Sequence, residues 1–191
     1  AQGPDIFFHN QRTKPSGLAY GIKLHSGSYG TCCAAMAAAL RGEEQKQEEY
    51  YLYGFITHAV LDRFTHPFII SRSGRETAGA HAFYERIIDV LMLNHFENKS
   101  VNQYDFLSTL PPGNEIPDHI SDFLSDALNR VFPRSRMRNQ CRERVDNAFY
   151  DTLSYYSHTN YIDKEYICRA LERENAGEMS QKWITIVHPR W

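Results

Sequence analysis

The chain lacks the features that mark several large classes of protein. Its formal net charge is only −2 over 191 residues, so no global field favours nucleic acid or an anionic membrane. None of its four cysteines falls in a C-x-x-C spacing, which argues against a thiolate zinc site. The longest apolar run, Cys32 to Leu40, is too short to span a bilayer. Internal repeats and low-complexity tracts are also missing, so we expect a folded domain with no nucleic-acid partner and no transmembrane segment.

The few cysteines also bear on the compartment. Free cysteine is usually buried, so we expect small buried or half-buried thiols. This favours a reducing, cytoplasmic location, and no secretion signal is recognisable. The opening Ala1-Gln2-Gly3-Pro4-Asp5 reads like the middle of a sequence. We therefore expect that an upstream segment could be missing from this sequence. If that segment was a secretion signal removed by processing, the protein would be secreted.

Strand-like alternation is scarce, and helix signals dominate after residue 30. Glycine and proline punctuate the first thirty residues, which predicts loops there. An acidic start predicts a long helix from about Glu43 to Arg63, and Pro67 should end it, with His66 on the turn that leaves the helix. The sequence predicts an all-α single domain over residues 1–191, with a metal site between helices. The other expected helices are Cys32–Leu40, Ala78–Glu97, Asp105–Leu110, Pro117–Phe132, Ser135–Tyr156 and Asp163–Arg173.

Metal-ligand side chains recur at helical spacing in the middle of the chain. His58, Asp62 and His66 are each four residues apart, and His81 and Glu85 repeat that spacing. Side chains four apart on a helix lie on one face. Imidazole nitrogens and carboxylate oxygens are the ligands that zinc and similar divalent metals prefer. The pattern therefore predicts a divalent-metal site.

The other candidate ligands carry weaker signals. Asp89 extends the second stripe by one turn, where it could orient a ligand histidine by accepting its other N–H, or lie on the surface. Asp5, His9 and His25 lie in the loop-rich start, and each alone is equally typical of a turn or a surface residue. Four further histidines have no ligand-spaced neighbours of comparable quality and are interpreted as structural or surface residues: His95, His119, His158 and His188.

The block from Tyr53 to Asp62, followed by His66, resembles the metal motif of the zinc-dependent phospholipase C family. That family includes secreted bacterial phosphatidylcholine phospholipases C and the catalytic domain of the phospholipase D that acts on glycosylphosphatidylinositol anchors. The second of these shares the His-x3-Asp-x3-His spacing, whereas the bacterial enzymes place the third histidine two residues further on. The pair His81 and Glu85 is similar to the family's downstream His-x3-Glu pair.

The resemblance extends upstream and covers about Ala1 to Asp89. Gly3-Pro4-Asp5 looks like the family's upstream aspartate ligand, and His25 is similar to the histidine that follows it. The resemblance implies one zinc on Asp5, His25, His58 and Asp62. It implies a second zinc on His66, His81 and Glu85. The family's third zinc, which Asp62 would bridge, needs an N-terminal amino group and an upstream histidine that this sequence does not show, so two ions are expected.

Paired divalent metals suit phosphodiester hydrolysis, because they neutralise phosphate charge and lower the pKa of bound water. The expected function is therefore hydrolysis of a phosphodiester by metal-bound hydroxide, with zinc or another divalent metal and with Asp5 or Asp62 as base or orienting carboxylate. The expected substrate is a phosphoester or a phospholipid headgroup, with peripheral membrane contact as a further option and no expectation about oligomeric state.

Two alternatives stay open. One is another all-helical phosphohydrolase acting on nucleotides or small phosphoesters, although the adjacent His-Asp pair of that class does not occur here. The other is a non-catalytic binding protein that metal stabilises. Aromatics that could form a choline cage are more typical of core packing: Phe7, Phe8, Tyr20, Tyr50, Tyr51 and Tyr53. The arginine run between Arg134 and Arg144 could meet lipid phosphates, but a solvated helix face is the commoner role.

Overall fold

A computed structural model describes residues 3–40, 45–74, 80–109 and 116–159, and these residues form helices and turns without any strand. The α-helices of this part are α1 (Ile6–His9), α2 (Leu18–Lys23), α3 (Tyr29–Ala37), α4 (Gln45–Ser73), α5 (Ala80–Glu97), α6 (Asp118–Val131) and α7 (Cys141–Thr159). A π-type turn, Leu24–Ser28, joins α2 to α3. Short 3-10 turns occupy Gly3–Asp5, Val101–Gln103, Phe106–Thr109 and Arg138–Gln140. The protein is all-α, as the sequence predicts.

The chain divides into two compact units, of which the first comprises Ala1–Arg63 and Pro112–Tyr155. Helix α6 illustrates how this unit is built. Its apolar face, including Phe123 and Leu124, is buried, while Asp118, Asp122 and Asp126 on the other face are exposed. Burying a large apolar side chain contributes about 1.5–3 kcal/mol, which holds α6 against the other helices of the unit. The fully buried apolar side chains of this core include Phe7, Tyr20, Leu24, Cys32, Met36, Leu124, Leu128 and Val145.

The second unit comprises Phe64–Pro111 and Tyr156–Trp191. Its described residues include the end of α4 and all of α5. Ile69 on α4 is buried, whereas Phe64 on α4 and Leu91 and Phe96 on α5 are exposed. The division does not test whether residues 1–191 form one domain, and the single-domain interpretation stays a prediction.

The prediction of loops throughout the first thirty residues is wrong. Helices α1 and α2, the π-type turn and the start of α3 lie in this stretch. Burial of Phe7, Tyr20 and Leu24 outweighs the cost of helical glycine. Gly21 even suits this packing, because a Cβ there would lie 3.0 Å from the Cβ of Phe7.

The predicted end of the long helix near Arg63 is also wrong, because α4 continues through Pro67 to Ser73. Proline cannot donate the hydrogen bond to the carbonyl four residues earlier, and it disfavours helix at the residue before it. Burial of Ile69 and Ser73 beyond the proline favours the continued helix. His66 therefore lies inside α4, and not on a turn that leaves it.

The remaining helices follow the sequence with shifted ends. The helix predicted at Cys32–Leu40 runs from Tyr29 to Ala37, and the one predicted from Ser135 begins at Cys141 after a 3-10 turn. Residues 106–109 form a 3-10 turn and not an α-helix. Cys32 and Cys141 are buried free thiols and Cys33 is half-buried, which confirms that prediction for them. The helix predicted at 163–173, the tail from residue 181 and Cys168 lie outside the described residues.

Candidate metal centres

The structure brings together three of the predicted ligands in the first unit: Asp5, His25 and His58. One ligand atom from each lies within 4.8 Å of the other two. Nε2 of His25 is 3.1 Å from Oδ1 of Asp5, and Nε2 of His58 is 3.6 Å from the same oxygen. Residues from three separate elements therefore converge on one point.

Each of these side chains is placed by a different local structure. Asp5 ends the 3-10 turn that leads into α1, and the neighbouring side chains of Ile6 and Phe7 are buried and anchor that turn. His25 lies in the π-type turn after α2, a type of irregularity that occurs often at functional sites. His58 lies on α4, three residues after the buried Phe55.

A backbone carbonyl fixes the orientation of His25. Its Nδ1 lies 2.8 Å from the carbonyl oxygen of Gly21, so Nδ1–H donates there and Nε2 faces Asp5. This is the arrangement typical of metal-bound histidine, whose second ring N–H is held by a carbonyl or carboxylate. The Asp5 carboxylate raises the pKa of His25 above its ordinary value, although burial opposes the shift. Metal binding needs the neutral ring, so acid should weaken it here.

His58 carries the least satisfied polar atom of the cluster. The residue is 8% exposed, and its Nε2 is buried without a hydrogen-bond partner. Two carboxylates face it, with Oδ1 of Asp5 at 3.6 Å and Oδ2 of Asp62 at 3.4 Å. Four ligands at about 2.0–2.1 Å from a tetrahedral zinc are about 3.3 Å apart. The spacing of these atoms and their N/O chemistry therefore fit a divalent cation.

Asp62 lies beside this cluster, one helical turn after His58. Its contact with His58 joins two residues of α4 and leaves the side chain of Asp62 27% exposed. The structure places it next to His58, and its roles as a ligand and as a catalytic carboxylate stay predictions.

The second unit holds another such group: His66, His81 and Glu85. Oε1 of Glu85 lies 3.2 Å from Nε2 of His66 and 2.9 Å from Nε2 of His81. The two histidine rings are 4.9 Å apart and nearly perpendicular. His81 and Glu85 are one turn apart on α5, and His66 is supplied by α4. Each of these side chains is about one-third exposed, so the group is accessible from solvent.

The other predicted residues lie outside these two groups. Asp89 is exposed, one turn after Glu85 on α5, and its orienting role stays a prediction. His9 stacks on Tyr155, and His95 contacts the ring of Phe96. His119 is half-buried on α6. The side chain of His158 and the whole of His188 are outside the described residues.

Two features of the first cluster are not evident from the sequence. One is the carbonyl of Gly21, since an i−4 backbone acceptor leaves no trace in residue type. The other is Tyr29, whose ring lies nearly parallel to that of His58 at 6.4 Å between centroids. Its hydroxyl donates a hydrogen bond to the carbonyl of Phe55. An aromatic residue in an alanine-rich helix is more typical of core packing, so its type alone gave no signal.

Among the described residues, no helix combines the length and the apolar content that a membrane span requires.

Comparison with known proteins supports the same chemistry. The model of one protein family, zinc-dependent phospholipase C, matches residues 3–166. Neither the curated proteins nor the solved structures include a match. The matched range contains both groups of potential ligands and most of the chain. The chain belongs to the zinc-dependent phospholipase C family.

Proposed function

We propose that this protein is a zinc-dependent phosphodiester hydrolase of the phospholipase C type. Family membership suggests metal-dependent hydrolysis of phospholipid phosphodiesters. The observation that carries the proposal for this chain is the environment of His58. Its buried Nε2 has no hydrogen bond and faces two carboxylates at 3.4 and 3.6 Å. A bound cation would supply the partner that this nitrogen lacks.

Two ions are proposed, one for each group. Asp5, His25, His58 and Asp62 would hold the first, and His66, His81 and Glu85 would hold the second. Zinc is the metal that the family implies, although the same nitrogen and oxygen ligands also accept other divalent metals. Three protein ligands in the second group would leave a coordination position open, as is usual for catalytic zinc.

When bound, the metal supplies Lewis-acid charge for the phosphate and acidifies a ligating water. The protein contributes fixed geometry, since the carbonyl of Gly21 holds the His25 ring ready before any cation arrives. Asp5 and Asp62 stay 37% and 27% exposed, so water and substrate can reach both carboxylates. One of these two carboxylates would either accept the proton from the attacking water or orient that water.

The substrate class proposed is a phosphoester or a phospholipid headgroup. The structure argues against a choline cage that uses Phe7 or Tyr20, because both rings are fully buried in the core. In the structure, two arginines of the run between Arg134 and Arg144 already contact other groups of the protein. Arg142 pairs with the carboxylates of Asp118, Asp122 and Asp146, and Arg144 donates to the carbonyl of Ser16 and to Gln140. The cytoplasmic location and the peripheral membrane contact stay predictions.

The test is metal analysis joined to turnover. Protein purified without chelator should contain about two zinc per chain and hydrolyse a chromogenic p-nitrophenyl phosphodiester. Chelator should abolish turnover and added zinc should restore it. Nucleotides offered in parallel should be poorer substrates than phospholipid analogues. Protein without zinc that gains no turnover from added zinc would refute the proposal, and zinc-loaded protein without turnover would favour a metal-stabilised binding protein.

A further inference from the structure

Gly3 lies against the base of His58, a ligand of the first group. It is buried in the 3-10 turn that ends at Asp5, and its φ of +50° lies in the left-handed region that favours glycine. A Cβ on Gly3 would lie 2.7, 2.8 and 2.9 Å from Cγ, Cβ and Cδ2 of His58. No real side chain tolerates such distances, so the position accepts only glycine while His58 keeps its place.

The atoms that this added Cβ would meet begin at the base of the His58 side chain and not at a flexible tip. Cβ of His58 is fixed directly to α4, Cγ by one rotatable bond and Cδ2 by two, so Cβ cannot swing aside as the end of a lysine could. Nε2, at the far end of the ring, is left to face the carboxylates of Asp5 and Asp62. Because Gly3 and Asp5 belong to one short turn, the contact also sets the distance between Asp5 and the His58 ring.

We infer that Gly3 is a positioning residue of the first metal centre: its missing side chain lets the turn that carries Asp5 seat the His58 ring at ligand distance. This inference rests on the proposed function. Tyr29 contributes from α3, since its ring lies nearly parallel to the His58 ring and its hydroxyl is bonded to the carbonyl of Phe55 on α4. Gly3 thus acts on the base of His58, while Tyr29 ties down the preceding turn of α4.

The expected effect is large because metal sites tolerate little displacement. Non-bonded carbon atoms prefer separations of about 3.5–4.0 Å, so an added methyl group must push the turn and the ring apart by about 1 Å. Metal–ligand distances in genuine sites stay within about 0.2 Å of their ideal values. Changes to groups that orient ligands typically cost about 10–100-fold in metal affinity. We therefore expect Gly3→Ala to lower the zinc affinity of the first site by about that factor and to leave the affinity of the second site unchanged.

The experiment measures ions and not turnover. Zinc affinity and stoichiometry of the full chain are obtained by competition with a chromophoric chelator, and the visible spectrum of the cobalt-substituted protein reports ligand geometry. Gly3→Asn is a useful second variant, since asparagine tolerates positive φ but carries the same Cβ. Both Gly3 variants should bind one of the two zinc ions with lower affinity, and both should have an altered visible spectrum when substituted with cobalt.

Leu124→Ala is the control for lost stability. It empties a fully buried position of α6, a helix that supplies no ligand. It should lower stability and leave both zinc affinities within about twofold. Wild-type affinity in both Gly3 variants, or an equal loss of affinity in Leu124→Ala, would overturn the inference. Wild-type protein that binds no zinc would instead overturn the proposed function, and the inference with it.

A double-mutant cycle keeps the contact testable if Gly3→Ala folds poorly. His58→Ala removes two of the three atoms that the new methyl group would meet. Gly3→Ala should therefore cost clearly less unfolding free energy in the His58→Ala background than in the wild type. An equal cost in the two backgrounds would mean that the contact with His58 is not what requires glycine, and would overturn the inference.

Discussion

Asp151 is a buried carboxylate, and we expect even its near-isosteric replacement by asparagine to lower the stability of the fold. It lies on α7, is 3% exposed, and uses one oxygen, Oδ2, to accept three hydrogen bonds. The donors are Nδ2 of Asn10 at 3.0 Å and the backbone N–H groups of Arg12 and Thr13 at 2.9 and 3.0 Å. Asp151 thereby fastens the segment between α1, which follows Asp5, and α2, which leads to His25.

Asp151→Asn keeps the shape but removes the charge. A hydrogen bond to a charged group contributes about 1.5–3 kcal/mol, against about 0.5–1.5 kcal/mol for a neutral one. A loss of about 1 kcal/mol for each of three bonds gives about 3 kcal/mol in total. For a chain of this length that corresponds to about 6–12 °C in Tm.

The effect should depend on pH. Burial by itself raises the pKa of Asp151, but the three N–H donors outweigh it and hold the pKa below its ordinary value. A depressed folded-state pKa adds stability above the unfolded value, near pH 3.9, and that stability is lost as pH falls through the folded-state pKa. The difference between wild type and Asp151→Asn should therefore be complete at pH 7 and shrink below about pH 4.

Urea unfolding at pH 7 and near pH 3 measures this difference. Asp118→Asn is the control, because Asp118 is an exposed partner of Arg142 and such pairs contribute about 0–1 kcal/mol. Should Asp151→Asn cost no more than Asp118→Asn, or cost the same at both pH values, the reasoning about this carboxylate would be wrong.

Three further substitutions test other parts of the molecule. His58→Ala and His66→Ala should each remove about one zinc per chain and abolish turnover; elemental analysis that finds two zinc in either variant would contradict the assignment of ligands. Leu124→Ala should cost about 2–5 kcal/mol by urea unfolding, because this fully buried side chain of α6 leaves a cavity, and a loss under 1 kcal/mol would mean that the core is packed differently. Gly30→Ala should raise stability by about 0.5 kcal/mol, since nothing lies within 4 Å of the new Cβ and alanine favours helix; destabilisation measured by thermal unfolding would contradict this.

The sequence predicts the helical class and the contacts between candidate ligands on one helix, because both are local. His81 and Glu85 meet on one face of α5 through helical spacing alone, and α6 alternates apolar and charged residues at the helical period. His58 and Asp62 meet on α4 for the same reason. In these cases distance along the chain fixes distance in space.

The parts that escaped prediction depend on packing between distant segments. The glycines of the first thirty residues indicate loops, yet helices form in this stretch because they bury Phe7 and Tyr20. Pro67 indicates a helix end, yet α4 continues to the buried Ser73. Residue spacing cannot bring Asp5 and His25 to His58, and only the resemblance to a family pointed to them. The role of Gly3 depends on an absent side chain, which no spacing rule reveals.

The central claim is that imidazoles and carboxylates from separate helices and turns hold divalent cations. Crystals grown without chelator, with anomalous diffraction recorded above and below the zinc absorption edge, test it most directly, since one map gives the element, the number of ions and the ligands. We expect one zinc peak among Asp5, His25, His58 and Asp62, and another among His66, His81 and Glu85. A map without peaks, or with zinc bound by other side chains, would contradict the account.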